Sequence, residues 1–236
     1  MNNILLPIIN ECESKGFSFD GDAIRRFEIY YNFLVQENEK YNLTAITEKG
    51  EVALKHFADC MIFATRLNIT DGTKICDVGS GAGFPGMVLK ILYPKADVTL
   101  VDSLNKRVQF LSQLGNQLGL EVNALHSRAE EAGQNKNLRE SFDIVTARAV
   151  ANMAVLSELC LPLVRVGGCF AAMKGPAAEE ELANAGGIKL LGGDKPLIYS
   201  DQLEDIGQRR TVICKKISQT PTKYPRIFAK ISKQPL

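Results

Sequence analysis

The sequence predicts an α/β fold, with a mostly parallel central sheet, helices on both faces of that sheet and a helical N-terminal extension. Three observations lead to this prediction. From about residue 74 onward, short apolar runs alternate with amphipathic stretches, which is the pattern of consecutive βαβ units. Before residue 70, apolar residues instead recur at helical spacing. The first apolar run is also followed by a glycine-rich loop, at the place where open parallel sheets bind their ligands.

The N-terminal part, residues 1–70, is expected to be a helical extension. Four apolar residues recur at spacings of three and four on one face of its first helix: Ile24, Phe27, Tyr31 and Leu34. Asp20 or Asp22 is a suitable N-cap, because a carboxylate there accepts from the free amides of the first turn. A second helix is expected from about residue 51 to residue 67, and no strand pattern interrupts this part.

The remaining residues, 71–236, are expected to form one compact unit. Five short apolar runs are predicted as strands: 74–79, 97–102, 121–126, 142–147 and 169–174. Amphipathic stretches between and after them are predicted as helices: 86–92, 104–118, 151–163 and 177–184. A further apolar stretch covers 188–191, and a strand-like run follows over 209–217. Strands that alternate with helices in this way build a parallel sheet.

Composition excludes several classes of protein. The 236 residues are 45% hydrophobic, which is enough for one large core, and the net charge of +1 excludes a long polyanion-binding tail. The six cysteines are at least nine residues apart and there are only two histidines, so the spacing of a zinc site is missing and we expect no metal. The N-terminus lacks the pattern of a signal peptide. We therefore expect reduced, mostly buried cysteines in a cytoplasmic monomer that has no membrane span.

The C-terminal stretch, residues 206–236, carries positive charge and no acidic residue. Its eight basic residues are Arg209, Arg210, Lys215, Lys216, Lys223, Arg226, Lys230 and Lys233. A basic, partly aromatic end on a nearly neutral protein is a candidate contact for a polyanion. A solvated surface strand and a frayed tail explain the same composition equally well.

The glycine-rich loop, "DVGSGAGFPG" at residues 77–86, has two overlapping interpretations. From Gly81 it contains G-x-G-x-x-G, the fingerprint of dinucleotide binding. From Asp77 it reads D-x-G-x-G-x-G, which is typical of an S-adenosylmethionine (SAM) site. Asp102 ends the second predicted strand, 23 positions after Gly79, where an acidic residue binds ribose hydroxyls. That spacing suits NAD and SAM equally.

Charge favours SAM over NAD. A dinucleotide places its pyrophosphate against this loop and the following helix N-terminus, and the charge of Asp77 beside it would cost on the order of a kcal/mol. Pro85 also removes one amide from the turn. SAM instead carries a sulfonium and an ammonium, which an acidic residue attracts. We therefore expect a Rossmann-like class I SAM methyltransferase fold, with Glu130 after the third strand as a candidate near the adenine.

Half a dozen motifs keep the order of one known family: "DVGSGAGFPG", "DSLNKR", "SRAEE", "FDIVTARA", "MKG" and "YPR", preceded by "NLTAI" and "HFAD". With these, residues 40–236 resemble the glucose-inhibited division protein B family, the bacterial RsmG methyltransferases. The resemblance implies methyl transfer from SAM to N7 of a guanine in 16S ribosomal RNA, with that RNA or the small ribosomal subunit as partner. Cys60 departs from the family, which often has serine there, and this puts in doubt any role for a hydroxyl at that position.

The loop motif and the resemblance together give the candidate cofactor contacts. Those in the loop are Asp77, Gly79, Gly81, Gly83 and Phe84. The resemblance adds Asp102, Ser103 and Leu104 for ribose and adenine, Ala129 and Glu130 beside the adenine, and Arg148 near the methionine end or the guanine.

Guanine N7 has a lone pair and no proton, so its methylation needs no general base, and the enzyme mainly positions its substrate. The substrate-positioning candidates are Arg148, Lys174, His56 and Arg226. Arg148 or Lys174 would donate to guanine O6. His56 and Asp59 lie three residues apart and can share a partner as a structural pair, or His56 contacts RNA. Arg226, beside Tyr224, would reach single-stranded RNA, or the tyrosine packs against the protein.

Three other functions remain open at this point. An NAD-dependent oxidoreductase would need a proton-relay residue, and neither a Tyr-x-x-x-Lys motif nor a catalytic-looking histidine is present. A SAM-fold protein that binds RNA without catalysis is a second alternative, which the intact glycine loop disfavours. A small-molecule methyltransferase is the third, and the basic C-terminal stretch speaks weakly against it.

Overall fold

The computed structural model describes residues 9, 10, 13, 22–203 and 207–236, and the cap prediction at Asp20 and the thiol of Cys12 lie outside them. Within these residues, seven strands form one sheet: β1 Lys74–Val78, β2 Asp97–Asp102, β3 Asn123–His126, β4 Phe142–Arg148, β5 Val164–Lys174, β6 Leu197–Leu203 and β7 Gly207–Lys215. Their order across the sheet is β3-β2-β1-β4-β5-β7-β6. Strands β1 to β5 pair in parallel, and β7 runs antiparallel to both of its neighbours.

Helices cover both faces of this sheet. The α-helices of the described residues from 22 onward are α1 Ala23–Tyr41, α2 Lys49–Val52, α3 Asp59–Ala64, α4 Gly86–Leu92, α5 Asn105–Leu118, α6 Ala129–Gln134, α7 Met153–Cys160, α8 Ala178–Ala183 and α9 Phe228–Lys233. A π-helical segment, Ala53–Ala58, joins α2 to α3, and a 3₁₀ turn, Leu161–Leu163, leads into β5. The apolar side chains form two clusters, one on each face of the sheet. The predicted α/β fold is therefore confirmed.

The first helix, α1, packs on the sheet layer. Phe27, Tyr30 and Leu34 are fully buried in the same cluster as residues of α4 and α5, and the Phe33 ring stacks on Phe110 of α5 at 5.4 Å. The Tyr30 hydroxyl donates to the carbonyl oxygen of Ala82 in the glycine-rich loop. The N-terminal helix thus supports the loop, and the boundary at residue 70 stays a prediction.

Several predicted details differ in the structure. Tyr30, and not Tyr31, is the buried tyrosine of α1, because the buried face follows positions 23, 27, 30, 34 and 37. Asp22 borders α1 but caps no amide; its carboxylate instead accepts from Arg25 Nε at 3.3 Å. The predicted helix 51–67 begins earlier and contains the π-helical segment.

The C-terminal half of the sheet also departs from the predictions. β5 begins at Val164, five residues before the strand predicted at 169–174. The apolar stretch 188–191 forms turns, while the edge strand β6 was missed. In its sequence, "LIYSDQL", three polar residues follow the first three apolar ones, which is compatible with an edge strand that pairs with β7 along one side.

Candidate functional site

Two cavities lie side by side beyond the carboxyl ends of the central strands. The loop cavity, about 360 Å³, lies over β1, β2 and β4 and reaches α9. The arginine cavity, about 340 Å³, lies over β4, β5 and β7. Arg148 and Ala149, at the end of β4, line both. Ala149 has a left-handed φ of 55°, and backbone strain of this kind is common at functional sites.

Six of the eleven predicted cofactor contacts line the loop cavity: Gly79, Asp102, Ser103, Ala129, Glu130 and Arg148. They come from the ends of β1, β2 and β4 and from the start of α6, so the parallel topology brings distant parts of the chain together. Residues that the sequence analysis did not single out complete the wall, among them Arg107, Arg128, Val150 and Phe228. Phe228 comes from the C-terminal helix, and its exposed fraction of 40% reflects this position at the cavity rim.

Gly79 must be a glycine for two reasons. Its φ of +70° lies in the left-handed region, where a side chain is strained. A Cβ at this position would also lie 2.6 Å from Val150 Cγ2. The backbone at Gly79 therefore forms part of the wall of the loop cavity, with no room for a side chain between it and Val150.

Asp102 lines the same cavity from the end of the neighbouring strand, β2. Its Oδ2 accepts from the amide of Gly81 at 2.9 Å, and its Oδ1 accepts from the amide of Leu104 at 2.9 Å. Arg107 lies 3.5 Å from the same carboxylate. The carboxylate, which is nearly inaccessible to solvent, thus ties the end of β2 to the glycine-rich loop. Asp102 as a residue still lines the cavity.

The Asp77 carboxylate does not line the loop cavity, in contrast to the expectation that it would contact the cofactor. It is fully buried beneath the loop, where Oδ1 accepts from the Thr146 hydroxyl at 2.8 Å and Oδ2 from the Gly86 amide at 3.1 Å. Burial raises the pKa of Asp77 to about 6, although these donors act in the opposite direction. Gly86 is the first residue of α4 and Pro85 its N-cap. The Asp77 carboxylate therefore already accepts from the Gly86 amide, which would otherwise be able to bind a pyrophosphate.

Four other predicted contacts also lie outside the lining of the loop cavity: Gly81, Gly83, Phe84 and Leu104. Gly83, with φ of +99°, would direct a Cβ to within 2.6 Å of the Tyr30 hydroxyl. The Phe84 ring is buried and stacks on His56 at 4.4 Å and on Tyr30 at 5.3 Å. Gly83 and Phe84 therefore support the site from behind.

Arg148, which lines both cavities, is held by contacts with several other residues. Its Nη2 donates to the Lys55 carbonyl at 2.9 Å and approaches His56 Nδ1 at 2.9 Å. The guanidinium also lies 3.7 Å from Asp59 and over the Phe84 ring at 5.6 Å. The predicted shared partner of His56 and Asp59 is thus Arg148. Both side chains are buried, which fits the structural interpretation of the pair.

His56 is held in its neutral form. Burial, with the positive charge of Arg148 as the second cause, lowers the pKa of His56 to about 4. His56 Nδ1 lies 2.9 Å from Arg148 Nη2 and 3.1 Å from the Lys55 carbonyl oxygen. Because a guanidinium can only donate, we assign the lone pair to Nδ1 and the ring proton to Nε2, which lies 3.0 Å from the Thr44 hydroxyl. A neutral imidazole lets His56 accept from the guanidinium and fix its orientation.

This assignment predicts an NMR titration. The chain has two histidines, His56 and His126, whose ring signals can be assigned with a His126→Gln variant. The His56 signals should not shift between pH 8 and pH 5, and a midpoint near 6.5 would contradict the assignment. Because the unfolded state binds this proton more readily, the contribution of His56 to stability is present above pH 6.5 and is lost as the pH falls toward 4. The raised pKa of Asp77 acts in the opposite direction over an overlapping range, so the ring signals, and not overall stability, isolate His56.

The arginine cavity has a wall of mixed charge. Lys174, at the end of β5, forms an ion pair with Glu181 of α8 at 2.6 Å and donates to the Ala151 carbonyl at 2.6 Å. Arg209 Nε donates to Asp59 Oδ1 at 3.1 Å. The four cations of the lining are Arg148, Lys174, Arg209 and Arg210, and the three carboxylates are Asp59, Glu181 and Asp201.

Arg226 lies outside both cavities, in contrast to its expected role in positioning the substrate. Its Nε and Nη2 donate to the two carboxylate oxygens of Glu158, at 2.8 and 2.6 Å. The Glu158 side chain is completely buried, so this pair fastens the C-terminal segment to α7. Tyr224 is buried as well, in agreement with the alternative in which this tyrosine packs against the protein.

Half of the basic residues of the C-terminal stretch form ion pairs with acidic residues of the same chain. The four internal ion pairs are Arg209–Asp59, Arg210–Glu179, Lys216–Glu140 and Arg226–Glu158. Lys215, Lys223, Lys230 and Lys233 are exposed and remain candidates for a polyanion contact.

The described cysteines are free thiols, and four of the five are buried. Among the described residues, no helix has the length and apolar character needed to span a bilayer.

Comparison with known proteins identifies the family. The family model for rRNA small subunit methyltransferase G matches residues 23–192. A ribosomal RNA small subunit methyltransferase G from Bacillus subtilis (strain 168) is 50% identical over 226 residues, covering 94% of each chain. The protein of the same name from Bacillus velezensis is 48% identical over 231 residues, covering 97% of each chain. The chain belongs to the rRNA small subunit methyltransferase G family.

Membership of this family confirms the resemblance found in the sequence, the methyltransferase assignment and SAM as the cofactor. Solved structures agree on the fold. A predicted O-methyltransferase from Agrobacterium tumefaciens has a TM-score of 0.54 at 20% identity, covering 69% of this chain and 83% of its own. A SAM-dependent methyltransferase from Aquifex aeolicus has a TM-score of 0.50 at 18% identity, covering 72% and 94%. The class I methyltransferase fold is thus confirmed, and the oxidoreductase alternative finds no support.

Proposed function

We propose that this protein transfers a methyl group from SAM to N7 of a guanine in small-subunit (16S) ribosomal RNA. The observation that carries the proposal is the pair of cavities that share Arg148 and Ala149. Two reactants bound in adjoining cavities can approach each other in line where the cavities meet, as a displacement at a methyl group requires. We further propose a cytoplasmic monomer as the working form.

The loop cavity fits the cofactor. Gly79 offers open backbone where a Cβ would collide with Val150, and Asp102 lies at the end of β2, where ribose hydroxyls are bound. We assign Gly79, Asp102 and Ser103 to the methionine and ribose side, and Ala129 and Glu130 to the adenine side. When bound, SAM supplies an electrophilic methyl group. In this arrangement Asp77 and Phe84 act from beneath the loop, by holding it in place.

The arginine cavity would hold the guanine. Because N7 has a lone pair and no proton, no residue has to remove a proton from the reacting atom. Arg and Lys are common donors to guanine O6, and Lys174 lines this cavity beside Arg148. The neutral His56 and buried Phe84 keep the Arg148 guanidinium in one orientation, so the residues of the site act by positioning the base and excluding water.

The assignment of Gly79 predicts a selective loss of cofactor affinity. Gly79→Ala should weaken SAM binding by about tenfold or more in calorimetry, since the Cβ must displace Val150 from the cavity wall. Gly72→Ala is the matched control, because Gly72 has a similar φ of +76° but nothing within 4 Å of its would-be Cβ. Both variants share the backbone strain of a left-handed alanine, about 1 kcal/mol. Equal SAM affinity in the two variants would contradict the assignment.

A methyl-transfer assay tests the proposed function. The protein is incubated with labelled SAM and, in separate reactions, with undermethylated small subunits, naked small-subunit rRNA and a set of small molecules, and the label is mapped to a nucleotide. Label at N7 of a single guanine supports the proposal and shows whether the free RNA or the assembled subunit is the substrate. Label on small molecules alone, or SAM binding without any transfer, would overturn it in favour of the remaining alternatives.

A further inference from the structure

The arginine cavity contains carboxylates that methyl transfer to N7 does not explain. A site that held only a phosphate would be lined by cations, yet Asp59, Glu181 and Asp201 line this cavity. Guanine, by contrast, presents an acceptor, O6, next to two donors, N1–H and the 2-amino group. A cation beside a carboxylate is the complement of that edge, because carboxylates accept from such donors and cations donate to such acceptors.

Two of the three carboxylates are committed to arginines. Asp59 has Arg209 Nε 3.1 Å from Oδ1 and Arg148 Nη2 3.7 Å from Oδ2. Asp201 receives Arg66 on both oxygens, at 2.5 Å from Nη2 and at 3.4 Å from Nε. In each of these two carboxylates, both oxygens therefore face a guanidinium.

Glu181 differs from these two. Its Oε2 accepts from the Met153 amide at 2.9 Å and is the atom paired with Lys174. Among the described residues, no donor forms a hydrogen bond with its Oε1, and 27% of the side chain is exposed. The carboxylate is therefore anchored through one oxygen while the other remains able to accept.

Arg148, Lys174 and Glu181 follow one another as neighbours, as do the atoms around the edge of guanine. From the loop cavity, the end of β4 comes first with Arg148, and the end of β5 follows, since Met173 is opposite Arg148 in the register and Lys174 comes next. Glu181 of α8 is the next neighbour, since its Oε2 lies 2.6 Å from Lys174 Nζ and accepts from the Met153 amide. Around the guanine ring, N7 is followed by O6, then by N1–H and then by the 2-amino group.

We propose that Lys174 and Glu181 together select guanine, with Lys174 donating to O6 and Glu181 accepting from N1–H and the 2-amino group. This inference rests on the proposed guanine-N7 methylation and adds its specificity-determining carboxylate. In this pose N7 points toward Arg148 and the loop cavity. Adenine is rejected because its 6-amino group would face the Lys174 cation and its N1 lone pair would face the Glu181 carboxylate.

Glu181→Gln tests the proposal, with Glu180→Gln as the matched control on an exposed position of the same helix. Since the Met153 amide and Lys174 both need an acceptor, the glutamine oxygen stays with them and its amino group faces the base. Each variant is given small-subunit rRNA substrates with guanosine or inosine at the position mapped by the labelling experiment. Inosine keeps N7, O6 and N1–H but lacks the 2-amino group.

The wild type should use inosine about tenfold less efficiently than guanosine in kcat/KM, because a hydrogen bond to a charged acceptor is lost. Glu181→Gln should lose about tenfold or more on guanosine, and its guanosine-to-inosine ratio should approach one. Glu180→Gln should behave as the wild type, and all three proteins should bind SAM equally. A merely structural role for Glu181 would lower activity on both substrates and leave their ratio unchanged.

The two proposals fail in different ways. If the wild type places no label on an RNA guanine, the proposed function is overturned. If the wild type methylates guanine and Glu181→Gln keeps the wild-type guanosine-to-inosine ratio, only the assignment of Glu181 is overturned, whether or not the overall rate has fallen.

Discussion

Arg148→Ala should lower methyl transfer by about a hundredfold or more, because a misplaced reacting group costs rates of this order. Arg148 lines both cavities, and five contacts fix it: the Lys55 carbonyl, His56, Asp59, the Cys60 thiol and the Phe84 ring. Removing it takes away the wall against which both reactants are placed. The measurement is the initial rate of label transfer to small-subunit rRNA at saturating SAM.

Arg148→Lys separates charge from shape at the same position. Lysine keeps the positive charge but lacks the planar group that donates to several partners and stacks on an aromatic ring. We expect it to recover less than a tenth of the lost rate. SAM affinity should fall only several-fold in both variants, because Gly79, Asp102 and Ala129 remain in the loop cavity.

The matched control for Arg148 is Arg165→Ala. Arg165 is half-exposed and pairs with Asp143 near the start of β4, at the opposite end of the sheet from both cavities. An exposed pair of this kind contributes about 0–1 kcal/mol, so this variant should keep wild-type activity. Unchanged methyl transfer in Arg148→Ala would refute its role at the shared wall.

The ends of the strands that form the site could be predicted from the sequence, because the alternation of short apolar runs with amphipathic stretches marks where each strand stops. β2 was predicted at its observed bounds, and Asp102 therefore falls at the carboxyl end of a strand. The helix 86–92 was also predicted at its observed bounds. Once the strand ends are known, the parallel topology places Gly79, Asp102 and Arg148 at one edge of the sheet.

The direction of side chains could not be predicted in the same way. Asp77 lies in the loop motif, but its carboxylate turns beneath the loop, because the Thr146 hydroxyl and the Gly86 amide offer buried donors there. Arg226 is next to an aromatic residue and a proline, as an RNA contact would be, yet its partner is 68 positions away. Long-range pairings of this kind leave no local periodicity.

The place of Glu181 in the site could not be predicted from the sequence either. It lies in an acidic run, "AEEELA", that is typical of an exposed helix, and no sequence pattern distinguishes it from Glu179 and Glu180. Its place beside Lys174 depends on how α8 turns back over the end of β5. Only the three-dimensional contact between the two residues reveals it.

Arg226→Ala should destabilise the protein by about 3 kcal/mol or more, because breaking a buried ion pair leaves an uncompensated charge. The Glu158 carboxylate is completely buried and loses two of its three donors, Nε and Nη2 of Arg226, while the Arg226 backbone amide at 2.9 Å remains. The measurement is the free energy of unfolding in urea. For a chain of this size, the melting temperature should fall by about 6–12 °C.

A double variant distinguishes this structural role from the expected contact with RNA. Arg226→Met combined with Glu158→Leu removes both charges at once, and apolar replacements of a buried pair are often neutral or stabilising. We therefore expect part of the lost stability to return, since the backbone amide of residue 226 still loses its Glu158 acceptor. Methyl transfer per folded molecule, assayed well below the melting temperature, should stay near the wild-type rate in Arg226→Ala and in the double variant. If Arg226→Ala abolished transfer while its unfolding free energy stayed unchanged, the guanidinium would act on the substrate, and the assignment of Arg226 as an anchor of the C-terminal segment would be wrong.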